Sequence, residues 1–102
     1  MEIDNKTDMP EYVLTLFVSG ASVNSVKAIN NLQKILEKYV RGRHSLKIID
    51  VHQERALAEH EQIIALPLLI KKLPLPERRL IGNMSDTEKV LNGLGLIVGE
   101  GI

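Results

Sequence analysis

The chain has 102 residues, enough for one domain and too few for two. Apolar residues make up 44% and charged residues 25%, close to globular averages, which excludes global disorder. Lys+Arg and Asp+Glu both number 13; the missing basic excess argues against a non-specific nucleic-acid binder, and near-zero net charge favours self-association.

Residues 1–10 carry no periodicity and end in Pro10, so they read as a disordered tail. Tyr12 to Val18 is nearly continuous in apolar character, as expected of a strand covered on both faces. After Ser19-Gly20-Ala21-Ser22, a helical stripe follows: Val26, Ile29, Leu32, Ile35, Leu36, Tyr39 and Val40. Its i, i+3, i+4 spacing buries one face, and Lys27, Asn30, Gln33, Lys34 and Lys38 point outward. Ser22 or Asn24 can cap its start, and Gly42 suits its stop. Leu46 to Val51 reads as a second strand. Strand, helix, strand makes a right-handed βαβ unit with two parallel strands.

The second half is less uniform. Gln53 to Ile63 is rich in helix formers, and Leu68-Leu69-Ile70 and Arg79-Leu80-Ile81 look like strands joined through Leu73-Pro74-Leu75-Pro76. Ser85-Asp86-Thr87-Glu88 reads as a capping box, with Ser85 at N-cap and Val90, Leu91 and Leu94 turned inward. Gly93, Gly95, Gly99 and Gly101 then crowd the end. Each interior Gly costs a helix about 1 kcal/mol relative to Ala. Leu94, Leu96 and Val98 meanwhile alternate with Gly95, Ile97 and Gly99, a strand period. Local preferences that disagree imply a weakly biased fold.

The order βαβαββα, with Pro67 just before a strand, is the thioredoxin layout. The redox chemistry is absent, because the chain has no Cys and the place of the dithiol reads Val18-Ser19-Gly20-Ala21-Ser22-Val23-Asn24-Ser25. Pro67 is either cis, fixing Leu66 and Leu68 in a loop, or an ordinary trans proline at a strand start. His44, His52 and His60 have neither the spacing nor the third ligand of a metal site, so they read as exposed. Ser22 and Ser25 lack a His–Asp arrangement, and no G-x-x-x-x-G-K motif is present, so neither catalytic residues nor cofactors are expected. The longest apolar run, Ile63 to Ile70, falls short of the about 20 residues a membrane span needs. The polar start of the chain is unlike a signal peptide, so a soluble, cytoplasmic protein without membrane contact is expected. Lys71 to Arg79 holds four cations and one anion; Glu54 to Glu61 holds three Glu and one Arg. Two such patches are either ordinary solvated surface or a basis for head-to-tail assembly.

Several segments resemble the KaiB family of bacterial clock proteins. Lys72-Leu73-Pro74-Leu75-Pro76-Glu77-Arg78-Arg79-Leu80-Ile81-Gly82-Asn83-Met84-Ser85-Asp86-Thr87-Glu88-Lys89-Val90-Leu91 is similar to the family's V-L-P-x-P-x-R-R-I-I-G-D-L-S-D-R-E-K-V-L. Asn24 to Ala28 is similar to N-S-V-R-A, Leu46 to Val51 to L-K-V-I-D-V, and Leu57-Ala58-Glu59 to L-A-E. The resemblance runs over about residues 12–98, as one domain at 11–99 with a short tail at 100–102.

The resemblance implies a non-enzymatic adaptor that binds the N-terminal ATPase ring of a KaiC-type protein, with KaiA sequestered afterwards in complete clocks. It also implies two folds. The ground state, usually a tetramer, runs βαββααβ; the KaiC-binding state is thioredoxin-like, βαβαββα. Family positions carried over to the partner-facing surface are Lys27, Gln62, Ala65 and Pro67, and the basic Lys47, Arg78 and Arg79 match family charges. Gly93 and Gly95 fall in the segment that changes structure. Their helix cost points to the ground-state oligomer, a tetramer or dimer, as the resting form, and to Gly93→Ala as favouring the thioredoxin-like one. The chain departs from the family at Gln62 (Lys), Leu68 (Thr), Val23 (Pro) and Gly95 (Asp). The alternative is a stand-alone thioredoxin-like sensory module, similar to the KaiC-binding domain of a clock histidine kinase, without fold switching.

Overall fold

The computed structural model describes residues 10–96. The expected tails, Pro10 excepted, and Ile97, Val98, Gly99 and Gly101 of the alternating end lie outside the described residues. Seven elements follow in chain order: β1 (Tyr12–Val18), α1 (Val23–Tyr39), β2 (His44–Asp50), α2 (Arg55–His60), β3 (Leu68–Leu73), β4 (Arg78–Ile81) and α3 (Thr87–Leu94). The sheet order is β2-β1-β3-β4. β1 runs parallel to β2, with Leu16 opposite Ile48, and antiparallel to β3, with Phe17 opposite Leu68. β4 pairs antiparallel with β3, Leu68 opposite Ile81.

Both faces of the sheet are covered, which is why β1 and β3 are apolar almost throughout. On one face Leu14, Leu16 and Val18 of β1 and Leu69 of β3 pack with Leu32 and Leu36 of α1 and with Val90, Leu91 and Leu94 of α3. On the other, Phe17, Ile49, Leu68 and Ile70 meet Leu57 of α2 and Ile63. No helix among the described residues is long and apolar enough to cross a membrane.

Ser22 is the N-cap of α1, its Oγ accepting from Ser25 N at 3.2 Å. The expected stripe is buried at Leu32, Ile35, Leu36 and Val40, and only the first turns of α1 depart from it. Ser25 and Ala28 face inward, and Val26 is exposed. The cause is polar: Ser25 Oγ accepts from Ser19 N at 3.0 Å and from Ser22 Oγ at 2.8 Å, so this buried hydroxyl is satisfied. Gly42, at φ +75°, turns the chain after α1 in a turn closed by Arg43 N donating to Val40 O. α2 is shorter than the expected Gln53 to Ile63.

The cap of α3 also differs from expectation. Asp86, not Ser85, is the N-cap, and its carboxylate accepts from Lys89 N at 3.2 Å. Ser85 N instead donates to Asn83 Oδ1 at 3.0 Å, which holds Ser85 in the preceding turn. Asp86→Ala is expected to lower stability by about 1 kcal/mol and Ser85→Ala by only a few tenths, measured by urea denaturation.

The thioredoxin-like order βαβαββα is the one the chain adopts here, not the ground-state order that the glycines favoured. The glycines serve this fold. Gly93 is buried against β4, where a Cβ would lie 2.5 Å from Leu80 Cδ1 and 2.9 Å from its Cγ. Gly95 closes α3 in the left-handed conformation, φ +82°, with its N–H on Asn92 O at 3.0 Å and Leu96 N on Leu91 O at 2.8 Å. The helix cost of Gly93 is therefore offset by close approach of α3 to the sheet, and the expected effect of Gly93→Ala reverses sign.

Among the described residues Lys71 is the charged exception in the interior, only 4% exposed. Burial, and secondarily the Arg78 guanidinium, hold its ammonium below the ordinary 10.5. Between that lowered value and 10.5 the unfolded chain binds a proton that the folded chain has released, so folding stability rises with pH across this window. Lys71→Met is expected to flatten that rise and to raise the denaturation midpoint at pH 7.

Candidate partner interface

The segment between α2 and β3 is built by a helix stop. Gln62 is left-handed, φ +57°, and donates to Glu59 O at 3.0 Å, while Ile63 N donates to Ala58 O at 3.2 Å. This pair of bonds is the Schellman arrangement, here with Gln in the position glycine usually takes. Ile63 then turns under the sheet, and Ile64 is left 91% exposed. Pro67 is buried, follows a cis peptide bond, and accepts Gly82 N on its carbonyl at 3.0 Å. Of the two conformations open to Pro67, the cis one is present.

Glu61 anchors the near end. Its carboxylate lies 3.1 Å from Lys72 Nζ and 3.4 Å from Arg79 Nη2, and Arg79 also donates to the Glu61 carbonyl at 2.7 Å. One carboxylate of the acidic segment, Glu61, therefore meets two cations of the basic segment within the chain. Glu61 is thereby paired within the chain, whereas Lys71 and Arg78 of the basic segment line a different cleft.

A cleft of about 340 Å³ lies along this loop and joins Gln62, Ile64 and Ala65 to Arg79, Ile81 and Lys89. Its walls are mainly apolar, and its cations sit at the side of β4 and α3. Three of the sequence-derived positions, Gln62, Ala65 and Arg79, are thus brought together, and Pro67 fixes the same loop. Lys27 is exposed on α1 beside the exposed Val23 and Val26. The register places the start of α1 at the same end of the sheet, since Phe17 pairs with Leu68 and Leu68 with Ile81. Asn31 Nδ2 donates to Asn83 O at 2.9 Å, tying α1 to the turn after β4.

Lys47 and Arg78 are not brought into this cluster. Lys47 is exposed on β2, opposite Thr15, at the other edge of the sheet. Arg78 pairs with Lys71 at the far end of β4 and lines a different cleft. Sequence reasoning missed Ile64, Ile81 and Lys89. Ile64 lies in the apolar run from Ile63 to Ile70, and only the turn at Gln62 shows it outside.

Where a thioredoxin carries its dithiol, this chain has hydroxyls and an imidazole. Ser19 Oγ lies 3.1 Å from His52 Nε2. The Asp50 carboxylate accepts from Gly20 N at 3.2 Å and from the His52 backbone N–H at 2.9 Å. It holds the loop rather than orienting the imidazole, so a nucleophilic triad is not assembled. His60 is exposed as expected, whereas His44 is half-buried with Nδ1 3.0 Å from Val40 O.

The model of the KaiB domain family matches residues 15–96. The circadian clock oscillator protein KaiB of Synechococcus elongatus is 52% identical over 89 residues, 87% of either chain. Its namesake from Thermostichus vulcanus is 51% identical over 89 residues, covering 87% of this chain and 82% of the relative. Among solved structures, the N-terminal domain of Synechococcus elongatus SasA superposes with a TM-score of 0.70 at 22% identity, covering 99% of this chain and 94% of that domain. Mitochondrial thioredoxin 3 of Saccharomyces cerevisiae gives 0.69 at 14% identity, over 89% and 83%. The structural likenesses establish the thioredoxin-like fold, and the sequence matches carry the assignment: the chain belongs to the KaiB family.

Proposed function

We propose that this chain is a non-enzymatic, cytoplasmic clock or stress adaptor that binds the N-terminal ATPase ring of a KaiC-type protein in its thioredoxin-like state. Binding modulates the phosphorylation or ATPase cycle of that partner. The observation that carries the reading is the loop from Gln62 to Pro67, which presents Ile64 to solvent beside a cleft edged by Arg79 and Lys89. An apolar residue set in a fixed loop and rimmed by cations is the anatomy of a protein-binding hot spot. Lys27 extends the surface along α1, and Lys47 and Arg78 lie on other faces. Gly93 and Gly95 are where the chain converts to the ground-state tetramer or dimer.

Co-purification with a KaiC-type ATPase, with and without ATP, tests the proposal. Capture in at least one nucleotide state is expected; a folded protein that captures none in either state refutes it. The fully formed thioredoxin-like order also favours a second reading, a monomeric sensory module of the kind found in clock histidine kinases. Size-exclusion mass and NMR exchange separate the two: an oligomer converting slowly to a minor monomeric fold supports the adaptor, and a single rigid monomer supports the module.

A further inference from the structure

Strand alternation divides the four cations of the Lys71 to Arg79 segment between the two faces of the sheet. Lys72 and Arg79 are on the face of α2, where Glu61 pairs with both and Glu77 lies 3.9 Å from Lys72 Nζ. Lys71 and Arg78 are cross-strand partners on the face of α3. They line a cleft of about 220 Å³ at the opposite end of β3 from Gln62 and Ile64. The lining is largely polar, with Asn92 beside the two cations, and Tyr12, Pro74 and Leu75 add apolar contact; Leu75 is 74% exposed at the mouth. No carboxylate lines the cleft among the described residues. Gly95 borders the Lys71 end of the cleft, its Cβ position 3.9 Å from Lys71 Nζ. The carbonyls of Leu91 and Asn92 at the end of α3 already accept from Leu96 and Gly95.

We infer that this cleft is a binding site for an aliphatic carboxylate, with Lys71 and Arg78 holding the oxyanion and Tyr12, Pro74 and Leu75 holding the apolar body. A buried ammonium is costly unless paired, and two like charges on adjacent strands repel. One monoanion between them relieves both penalties, and the planar guanidinium suits a carboxylate geometrically. Burial and then the neighbouring Arg78 lower the proton affinity of Lys71, the two penalties an anion here would offset. The exposed Leu75 beside the cations offers apolar contact that a phosphate would leave unused. The site is separate from the partner interface, so it stands or falls independently of the clock reading.

NMR titration of the ¹⁵N-labelled full chain with sodium isovalerate at pH 7 tests it. Saturable shifts at the Lys71, Arg78 and Gly95 amides are expected, with none from the neutral isovaleramide. Lys71→Met should abolish them, and Arg78→Gln should weaken binding ~tenfold. A parallel titration with acetyl-Ile-Glu-Ile-amide tells a free acid from an acidic side chain of a partner, and saturation by either supports the site. No saturable shift with either probe, equal binding by inorganic phosphate, or shifts retained in Lys71→Met would overturn it.

Discussion

Gly93→Val is expected to destabilise the thioredoxin-like form by about 2–3 kcal/mol, which lowers the melting temperature of a domain this size by about 10–20 °C. The methyl of Ala alone would already meet Leu80 at 2.5 Å from Cδ1 and 2.9 Å from Cγ, so the whole isobutyl group must move and not only its tip. For Ala itself two effects oppose. Helix propensity gains about 1 kcal/mol, and overpacking loses about 1–3 kcal/mol, so a net loss of ~1 kcal/mol is expected. A double-mutant cycle separates them. In a Leu80→Ala background the collision is gone, and Gly93→Ala should stabilise by about 1 kcal/mol. Urea denaturation of the four proteins reads the cycle; Ala at 93 stabilising equally in both backgrounds would show that the contact with β4 does not constrain α3.

Ile64→Glu is expected to weaken capture of a KaiC-type ATPase by ~100-fold, about 2.7 kcal/mol, while changing stability by less than about 0.5 kcal/mol. The small stability effect follows from exposure: at 91% accessible the side chain makes almost no contact in the free protein. The large binding effect follows from burying a carboxylate where an apolar anchor belongs. Gln33→Glu, the same one-unit charge change on the exposed face of α1, is the control and should leave capture unchanged. Equal loss in both variants would reduce the effect to net charge, and no loss in Ile64→Glu would remove the loop from the interface.

Much of the architecture was legible in the residues because its signals are local. The apolar runs at Tyr12 to Val18 and Leu68 to Ile70, the 3.6-residue stripe through Leu32, Leu36 and Val40, and the inward Val90, Leu91 and Leu94 all rest on spacing within one element. The partner loop was legible only in part. Gln62, Ala65 and Arg79 came from family resemblance, and no pattern in the chain indicated that Ile64 would stand outside while Ile63 turned in.

The amino-acid sequence by itself determined the parallel βαβ start, the family, and the absence of thiol chemistry, since each depends on residue identity or on periods shorter than one helix. Tertiary structure decided the rest. Which residues the first turns of α1 bury turned on hydrogen bonds that Ser25 Oγ accepts from Ser19 N and Ser22 Oγ. Whether Glu61 and the basic hairpin were separate poles turned on a contact across 18 residues. Whether Gly93 weakens α3 or lets it dock turned on Leu80, a residue of another element. Long-range neighbours set these outcomes because a side chain's free energy depends on what covers it, and period and composition carry no record of that.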